Sequence, residues 1–341
     1  MVKQSDIAAK LGISRVTVTK ALQDGSDISE VMKKKVRETA KEMEYIPNLT
    51  ARHLTTKKTS TIGVVLPDIT NLYFSSIVRG MMEIAEKESY HIILTASRED
   101  KDIESENIFK LLSMNVDGVL LCQTLDTVDF EIFERVKKRR KPLVFFGRPV
   151  GFEGYNSIGF DDFSAAQTLT EYLIKNGKTK IAHISGDLKS DGGFRLDGFL
   201  ATMKKHNLEV KDEWIIEGKF FPEYGYKGFN QIYEAGDLPE VVFCGNGMIA
   251  QGLYDAVREK GLRIPEDLCV VAIDHKKFAE MLYPKLTYID YPTRTLGREA
   301  MQMLISKIGT KVKERKIENV ILDAVLVEKN SFCTTKTQHN N

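Results

Sequence analysis

Residues 6–22 read DIAAKLGISRVTVTKAL, and they decide how the start of this chain folds. Ala8 is small enough to let two helices approach closely, and Gly12 accepts the positive φ that ends the first helix. Ser14 can cap the second helix, because its hydroxyl can accept a hydrogen bond from a free backbone N–H. Val18 supplies an inward apolar side chain. Together these residues predict a helix-turn-helix.

A third helix completes this small all-α unit. Apolar residues recur at helical spacing in three segments, so we predict helices over residues 4–11, 14–23 and 30–44. Their inward side chains should form one core, made of Ile7, Leu11, Val18, Leu22, Met32, Val36, Ala40 and Met43.

This packing leaves one face of the second helix exposed, with Arg15, Val16, Thr17, Thr19 and Lys20. Arginine can bind guanine through two hydrogen bonds, valine can contact a thymine methyl group, and threonine can bind phosphate. Such a face suits the major groove of DNA. The alternative is a plain three-helix bundle with a solvated charged face.

The charge distribution favours the DNA interpretation. Residues 1–60 contain 12 Lys or Arg and 7 Asp or Glu, while the remainder contains 37 and 41, so the net charge of +1 conceals a basic start. This is expected of a protein that contacts phosphates at one end only. Hydrophobic residues make up 42% and charged residues 28% of the 341 residues, so a sizeable core can form behind it.

The sequence gives no indication of catalysis, a cofactor or a metal site. GxSxG and GxxxxGK[ST] motifs are missing, the glycines of CGNGMIAQG lack GxGxxG spacing, and the six histidines and four cysteines form no ligand pattern. No stretch approaches the ~18 apolar residues of a membrane span, and the first residues lack a signal peptide. We therefore predict a cytosolic protein that is no enzyme and binds no cofactor, metal or membrane.

From residue 61 onward, short apolar runs alternate with helical patterns. The runs are TIGVVL, HIILTA, DGVLLC and PLVFFG, followed by a second series of KIAHISG, EWIIEG, EVVFCG and LCVVAID. This alternation predicts parallel sheets with helices on both faces. The runs form two groups that meet near residues 148–160, so we predict two doubly wound lobes. A further strand and a helix follow, and ENVILDAVLVE should supply one final strand.

The chain from about residue 2 to 333 resembles the lactose/galactose repressor family. DIAAKLGIS matches its first helix and turn, RVTVTKAL its recognition helix and YIPNLTARHL its hinge. The resemblance implies a helix-turn-helix headpiece followed by a body like the periplasmic sugar-binding proteins. It also implies a repressor that binds a pseudo-palindromic operator as a homodimer, with a tetramer as the alternative. An exported sugar-binding protein is the competing class, but a basic headpiece is foreign to it.

The resemblance also assigns DNA contacts. By position, Arg15, Val16 and Lys20 fall where recognition residues sit, and Leu54 falls where a hinge leucine inserts into the minor groove. A segment as short as 47–54 cannot hold a helix alone, so it should order only when paired with its dimer mate on DNA. Leu54 could instead pack on the headpiece. The predicted DNA-binding set is Ser14, Arg15, Val16, Thr17, Thr19, Lys20, Asn48, Ala51 and Leu54.

Ligands of doubly wound folds bind at the carboxyl ends of the strands, which places an effector in the cleft between two lobes. Aromatic residues there could stack on a sugar or base, while Arg195 and Asp274 could bind hydroxyls or a polar ring edge. The alternatives are ordinary packing and a structural ion pair. The predicted effector-binding set, which lies in loops that match the family's contact positions, is Tyr73, Phe74, Arg148, Asp161, Arg195, Phe220, Asn246 and Asp274.

Two departures from the family bear on the effector. Gly147-Arg148 replaces an acidic residue that many members have, and Asn246-Gly247 replaces Asn-Asp. Fewer carboxylates and one more cation favour an acidic or phosphorylated effector. We expect a sugar or sugar derivative as the effector, and the candidates are a sugar, a sugar phosphate, a sugar acid or a purine.

The predicted domains are a DNA-binding domain, a hinge and linker, an effector-binding domain and a frayed tail, at 1–46, 47–60, 61–333 and 334–341. Within the effector-binding domain, the N-lobe should comprise about 61–158 plus 292–320, and the C-lobe about 159–291 plus 321–333.

Overall fold

The computed structural model describes residues 2–23, 25–46, 58–127, 131–148 and 154–333. The chain divides into two compact units, Met1–Thr59 and Ser60–Asn341, which we call the headpiece and the body. Most of the predicted hinge lies outside the described residues, and the finer domain division stays a prediction.

The headpiece consists of three helices, α1 (Gln4–Leu11), α2 (Arg15–Leu22) and α3 (Glu30–Glu42). All eight predicted core residues lie in one apolar cluster, and Ile7 and Val18 are completely buried in it. Burying side chains of this size stabilises a fold by roughly 1.5–3 kcal/mol each. Gly12 has a φ of 65°, and the Ser14 hydroxyl accepts a hydrogen bond from the Thr17 N–H at 3.0 Å, so both predicted turn signals are confirmed.

The N-lobe of the body is a six-stranded parallel sheet in the order β11-β5-β4-β3-β1-β2. Its strands are β1 (Thr61–Leu66), β2 (His91–Ala96), β3 (Gly118–Leu121), β4 (Leu143–Gly147), β5 (Asn156–Gly159) and β11 (Asn319–Ile321). The helices packed on it are α4 (Leu72–Lys87), α5 (Lys101–Ser113), α6 (Glu131–Lys138) and α12 (Thr293–Gly309).

The C-lobe is a second six-stranded sheet in the order β12-β10-β9-β8-β6-β7, parallel except where β12 pairs antiparallel with β10. Its strands are β6 (Ile181–Ile184), β7 (Ile215–Ile216), β8 (Val241–Cys244), β9 (Cys269–Asp274), β10 (Thr287–Asp290) and β12 (Val325–Val327). Its helices are α7 (Asp162–Lys175), α8 (Asp191–Lys205), α9 (Pro222–Glu234), α10 (Gly247–Glu259) and the short α11 (Lys276–Ala279). Two 3-10 turns, Asp212–Trp214 and Val312–Glu314, complete the body.

Two features of the sheets differ from the sequence prediction. The stretch ENVILDAVLVE supplies two strands, β11 and β12, which join different lobes, so the prediction of one final strand is wrong. The short strand β5 was also not predicted. The first difference arises because the apolar pattern shows that a segment is extended but does not show which sheet it joins. The second arises because the sequence of β5, NSIG, has only one large apolar residue and therefore no apolar run. The two lobes themselves are confirmed.

His183 on β6 provides a test of the C-lobe core. The ring is completely buried, stacks on Phe199, and holds Nδ1 2.9 Å from the carbonyl oxygen of Phe243. Burial lowers the pKa of His183 to about 3, whereas an unfolded histidine takes up its proton near pH 6.5. The unfolded chain therefore binds more protons between these values, so the free energy of unfolding should fall as the pH decreases below about 6.5.

We expect this loss to be about 1.4 kcal/mol per pH unit for the single proton. Urea unfolding followed through the fluorescence of Trp214, the chain's one tryptophan, reports on the body. Between pH 5 and 6, the free energy of unfolding should change less steeply with pH in His183→Gln than in the wild type. Equal slopes in the two proteins would contradict the assignment.

Candidate functional site

The outward face of α2 exposes three of the predicted DNA-reading side chains. Arg15, Val16 and Lys20 are exposed, and Val16 has 62% of its surface accessible although it is aliphatic. Lys20 forms an ion pair with Asp27. Lys20 must therefore leave this carboxylate to contact a phosphate or the acceptor edge of a base.

The hydroxyl groups of α2 are half-buried and already bonded within the headpiece. Thr17 and Ser14 share a hydroxyl–hydroxyl hydrogen bond of 2.8 Å. The Thr19 hydroxyl lies within hydrogen-bond distance of two acceptors, Gln4 Oε1 at 2.8 Å and the Arg15 carbonyl oxygen at 3.0 Å. Ser14 and Thr17 therefore stabilise the start of α2. The predicted hinge contacts Asn48, Ala51 and Leu54 lie outside the described residues.

Asp27 should weaken DNA binding, because its carboxylate competes with phosphate for Lys20. We expect Asp27→Asn to bind a random-sequence duplex about two- to fivefold more tightly at low salt, with the gain shrinking as salt screens the charges. Fluorescence anisotropy at two salt concentrations measures this. Glu42→Gln is the matched control, since it removes a carboxylate that pairs with Lys10. Equal affinities of Asp27→Asn and the wild type would show that the pair does not compete with DNA.

In the body, a cavity of about 610 Å³ lies between the two lobes at the carboxyl ends of the parallel strands. Loops that follow strands of both sheets line it, as expected for the doubly wound fold. The structure brings seven of the eight predicted effector-binding residues into this one cavity: Tyr73, Phe74, Arg148, Arg195, Phe220, Asn246 and Asp274.

Arg195 is held on the C-lobe side of this cavity by a buried ion pair. Its Nε donates to Asp162 Oδ1 at 2.7 Å, and the same oxygen accepts a hydrogen bond from the Tyr291 hydroxyl at 2.8 Å. The guanidinium also donates to the Gly245 carbonyl and lies 5.3 Å from the centre of the Phe220 ring. Burial raises the pKa of Asp162 to about 6, and the charge of Arg195 opposes that rise. The structural ion pair considered for Arg195 thus exists, with Asp162 as its partner.

Asp161 is the predicted residue that does not line the cavity. Its carboxylate caps α7, accepting the Ser164 N–H at 2.9 Å and the Ser164 hydroxyl at 2.7 Å. Adjacent residues at a helix start project in different directions, so only Asp162 points inward to Arg195. The structure therefore does not bring Asp161 to the cavity, and its contact with an effector stays a prediction.

Asp274 lines the cavity at the end of β9, but protein groups occupy its carboxylate. Oδ2 accepts the Gly247 N–H at 2.5 Å, and Oδ1 accepts the N–H of His275 at 2.6 Å and its ring Nδ1–H at 2.5 Å. A Cβ atom at position 247 would collide with this carboxylate. Gly247 therefore makes room for Asp274. Asn246 caps α10, its Oδ1 accepting the Ile249 N–H at 2.9 Å.

Arg148 is also engaged, by a residue that the sequence prediction missed. Its guanidinium binds both carboxylate oxygens of Glu99, at 2.6 and 3.0 Å, and donates to the Gln123 carbonyl at 2.7 Å. A second ion pair, Lys189 with Asp126 at 3.2 Å, joins loops of the two lobes across the cavity. Six residues of the site were missed by the sequence prediction: Glu99, Asp126, Asp162, Asp191, His275 and Tyr291. Most of them lie shortly after a strand, and this position in the sequence could have identified them.

The aromatic residues on the N-lobe side differ in their surroundings. Phe74 is buried against the lobe core, which corresponds to the packing alternative, and its edge meets Tyr73 with ring centres 5.2 Å apart. Burial raises the pKa of Tyr73, so its phenol stays protonated. On the other side, Phe220 is half-buried and its ring lies against the cavity.

Family comparisons match both units. A model described as bacterial regulatory proteins, lacI family, matches residues 4–48, and one described as periplasmic binding proteins and sugar binding domain of LacI family matches residues 59–330. The chain belongs to the LacI family. It is a DNA-binding transcriptional regulator with an effector-binding domain, as the resemblance implied, and its relatives are regulators and not enzymes. Among the described residues, no helix is long and apolar enough to cross a membrane.

Two curated LacI-family relatives and two solved structures illustrate the likeness. Catabolite control protein A of Priestia megaterium is 30% identical over 88% of this chain and 90% of its own length. The HTH-type transcriptional repressor PurR of Serratia proteamaculans is 32% identical over 92% and 93%. The structure of CcpA from Lactococcus lactis has a TM-score of 0.71 at 30% identity, covering 80% of this chain and 98% of that one. A lac repressor dimer bound to operator and the anti-inducer ONPF has a TM-score of 0.85 at 24% identity, covering 97% and 98%.

Proposed function

We propose that this LacI-family chain is a repressor whose affinity for operator DNA is controlled by a small molecule bound between the lobes. The observation that carries the proposal is the cavity itself, in which loops from both lobes converge on aromatic and charged side chains. Such a concave site with a few polar groups is typical of a small-molecule site. The sugar-binding description of the family model supports an effector of that kind.

We further propose a cytoplasmic homodimer that reads a pseudo-palindromic operator, with α2 of each headpiece in the major groove. Arg15, Val16 and Lys20 supply the base contacts, and Leu54 of the hinge inserts into the minor groove. The lac repressor of similar fold was solved as a dimer on its operator, which supports this arrangement. Closure of the lobes on the effector would change the separation of the two hinges and so the affinity for DNA.

The ion pairs of the cavity argue against a phosphorylated or acidic effector. Arg148 is bound by Glu99 and Arg195 by Asp162, so neither arginine offers an uncompensated positive charge. A phosphate would have to break one of these pairs to gain a cation. We therefore propose a sugar or sugar derivative without phosphate, with a ring face stacked on Phe220.

The test combines operator selection with ligand screening. Selection from random duplexes should yield a palindromic site, whose affinity falls steeply with salt because Lys and Arg replace counterions. Thermal-shift screening of sugars, sugar phosphates, sugar acids and purines should then identify compounds that stabilise the body and alter operator affinity. A protein that binds sugars but selects no duplex would instead be a sugar-binding protein, and the regulator proposal would be wrong.

A further inference from the structure

Two buried polar atoms in the cavity wall have no hydrogen-bond partner among the described residues: His275 Nε2 and Asp191 Oδ1. Asp191 begins α8, and His275 follows β9. Buried polar atoms without a partner are rare in folded proteins. In the wall of a ligand cavity, they indicate which groups the ligand has to supply.

The contact with Asp274 fixes the tautomer of His275, whose side chain lines the cavity. Its ring is 3% exposed, and Nδ1 lies 2.5 Å from Asp274 Oδ1. A carboxylate accepts hydrogen bonds only, so Nδ1 carries a hydrogen, and in the neutral tautomer Nε2 is an acceptor. Asp274 is in turn held by the Gly247 N–H. It therefore acts as a positioning residue for His275.

Asp191 brings negative charge close to the polar groups of the cavity. Burial raises the pKa of Tyr73 and of Tyr291, and the carboxylate of Asp191 raises both further. The same carboxylate adds to the effect of burial on Asp162. Its Oδ1 is nevertheless buried without a hydrogen-bond donor among the described residues.

The cations of the lining offset this charge only in part, through the effect of the Asp191 carboxylate on the pKa of Arg148 and of Arg195, which it raises. Three are paired with carboxylates: Arg148 with Glu99, Lys189 with Asp126 and Arg195 with Asp162. The side chains of the other two, Arg98 and Lys219, are exposed. The lining carboxylates outside these pairs are Asp68, Asp187, Asp191 and Asp274. The interior of the cavity therefore has an excess of negative charge and of hydrogen-bond acceptors.

We propose that the effector carries a protonated amine bound by Asp191 and a hydroxyl group that donates to His275 Nε2, as an amino sugar would. This rests on the proposed function that an effector binds in this cavity. An ammonium group compensates a buried carboxylate, whereas a hydroxyl supplies only one neutral donor. A phosphate or carboxylate has only acceptor oxygens, so it would leave Asp191 Oδ1 and His275 Nε2 without a hydrogen-bond donor.

Isothermal titration of the full-length protein with matched sugars tests the inference. The probes are glucosamine, galactosamine and mannosamine, the N-acetylated form of each, and glucose, galactose and mannose. At least one amine should bind about tenfold or more tightly than both its N-acetylated form and its neutral parent, the difference between a charge-assisted and a neutral hydrogen bond.

Variants assign the preference to single residues. Asp191→Asn, which keeps the side-chain shape, should bring the amine-to-parent affinity ratio close to one. His275→Phe should weaken both members of a pair by the same factor. Asp197→Asn is the matched control, because Asp197 is exposed on the same helix α8 and outside the cavity lining, and it should keep the preference. Circular dichroism checks that each variant is folded.

A neutral parent that binds as tightly as its amine would overturn the inference, and so would a preference that survives in Asp191→Asn. If neutral sugars bind and alter operator affinity while amines do not, the amine inference fails but the proposed function stands. If no compound binds and operator affinity never changes, both fail.

Discussion

Replacing Arg15 and Lys20 together by alanine should abolish the preference of this protein for its operator while the headpiece stays folded. Both side chains are exposed on α2, outside the apolar cluster that contains Ile7 and Val18. A well-placed contact to a base edge contributes about 1–3 kcal/mol of discrimination, so the loss of two should lower the ratio of operator to random-duplex affinity by about 10²-fold or more. Electrophoretic mobility shift against the selected site and a scrambled duplex measures the ratio.

The control removes the same charge from another helix. Lys34 and Lys35 are exposed on α3. Their double alanine variant should lower the affinity for all duplexes by the same factor, so the ratio of operator to random-duplex affinity should not change. Circular dichroism of both variants should match the wild type. If the Arg15 and Lys20 variant still selects the same duplex with the same ratio, α2 is not the reading element.

Asp162→Asn should strongly destabilise the effector-binding body. Both partners of the Asp162–Arg195 pair are almost completely buried, and the Tyr291 hydroxyl donates to the same carboxylate oxygen. Removing the carboxylate charge leaves the guanidinium buried and uncompensated, which costs about 3–5 kcal/mol. Urea unfolding followed through Trp214, which is buried in the C-lobe, measures the loss in the body alone.

Two further variants separate the ion pair from its surroundings. Asp161→Asn changes the neighbouring exposed carboxylate and keeps a side chain that caps helices well, so stability should change little. Asp162→Asn combined with Arg195→Gln removes both charges and should be less destabilised than Asp162→Asn alone. Equal losses in Asp161→Asn and Asp162→Asn would show that the buried pair does not stabilise the lobe.

The headpiece could be predicted almost completely from the sequence. Its three helices begin and end within two residues of the predicted positions, and Gly12 adopts the left-handed conformation that the turn requires. Helical spacing, caps and turns depend on residues a few positions apart. The strands of the body followed from their apolar runs for the same reason, except for β5 and the division of the last stretch into β11 and β12.

The sequence predicted which loops form the site, but it did not predict which side chains pair with one another there. Residues after strands do converge on one cavity, yet the sequence could not show that Arg148 is neutralised by Glu99, 49 residues away. It also could not distinguish Asp161 from its neighbour Asp162, because one position of rotation decides whether a carboxylate caps the helix or binds Arg195. The sequence also could not show that Gly247 and His275 bind the carboxylate of Asp274, whose contact with the effector stays a prediction.

The sequence by itself determined the helix-turn-helix, the basic start, the two doubly wound lobes and the loops that form the cavity, because each depends on patterns within about twenty residues. Only the tertiary structure decided which charges in the cavity are compensated and which acceptors remain open. Those outcomes depend on side chains from distant loops meeting within hydrogen-bond distance, where a shift of one residue or one rotamer changes the partner.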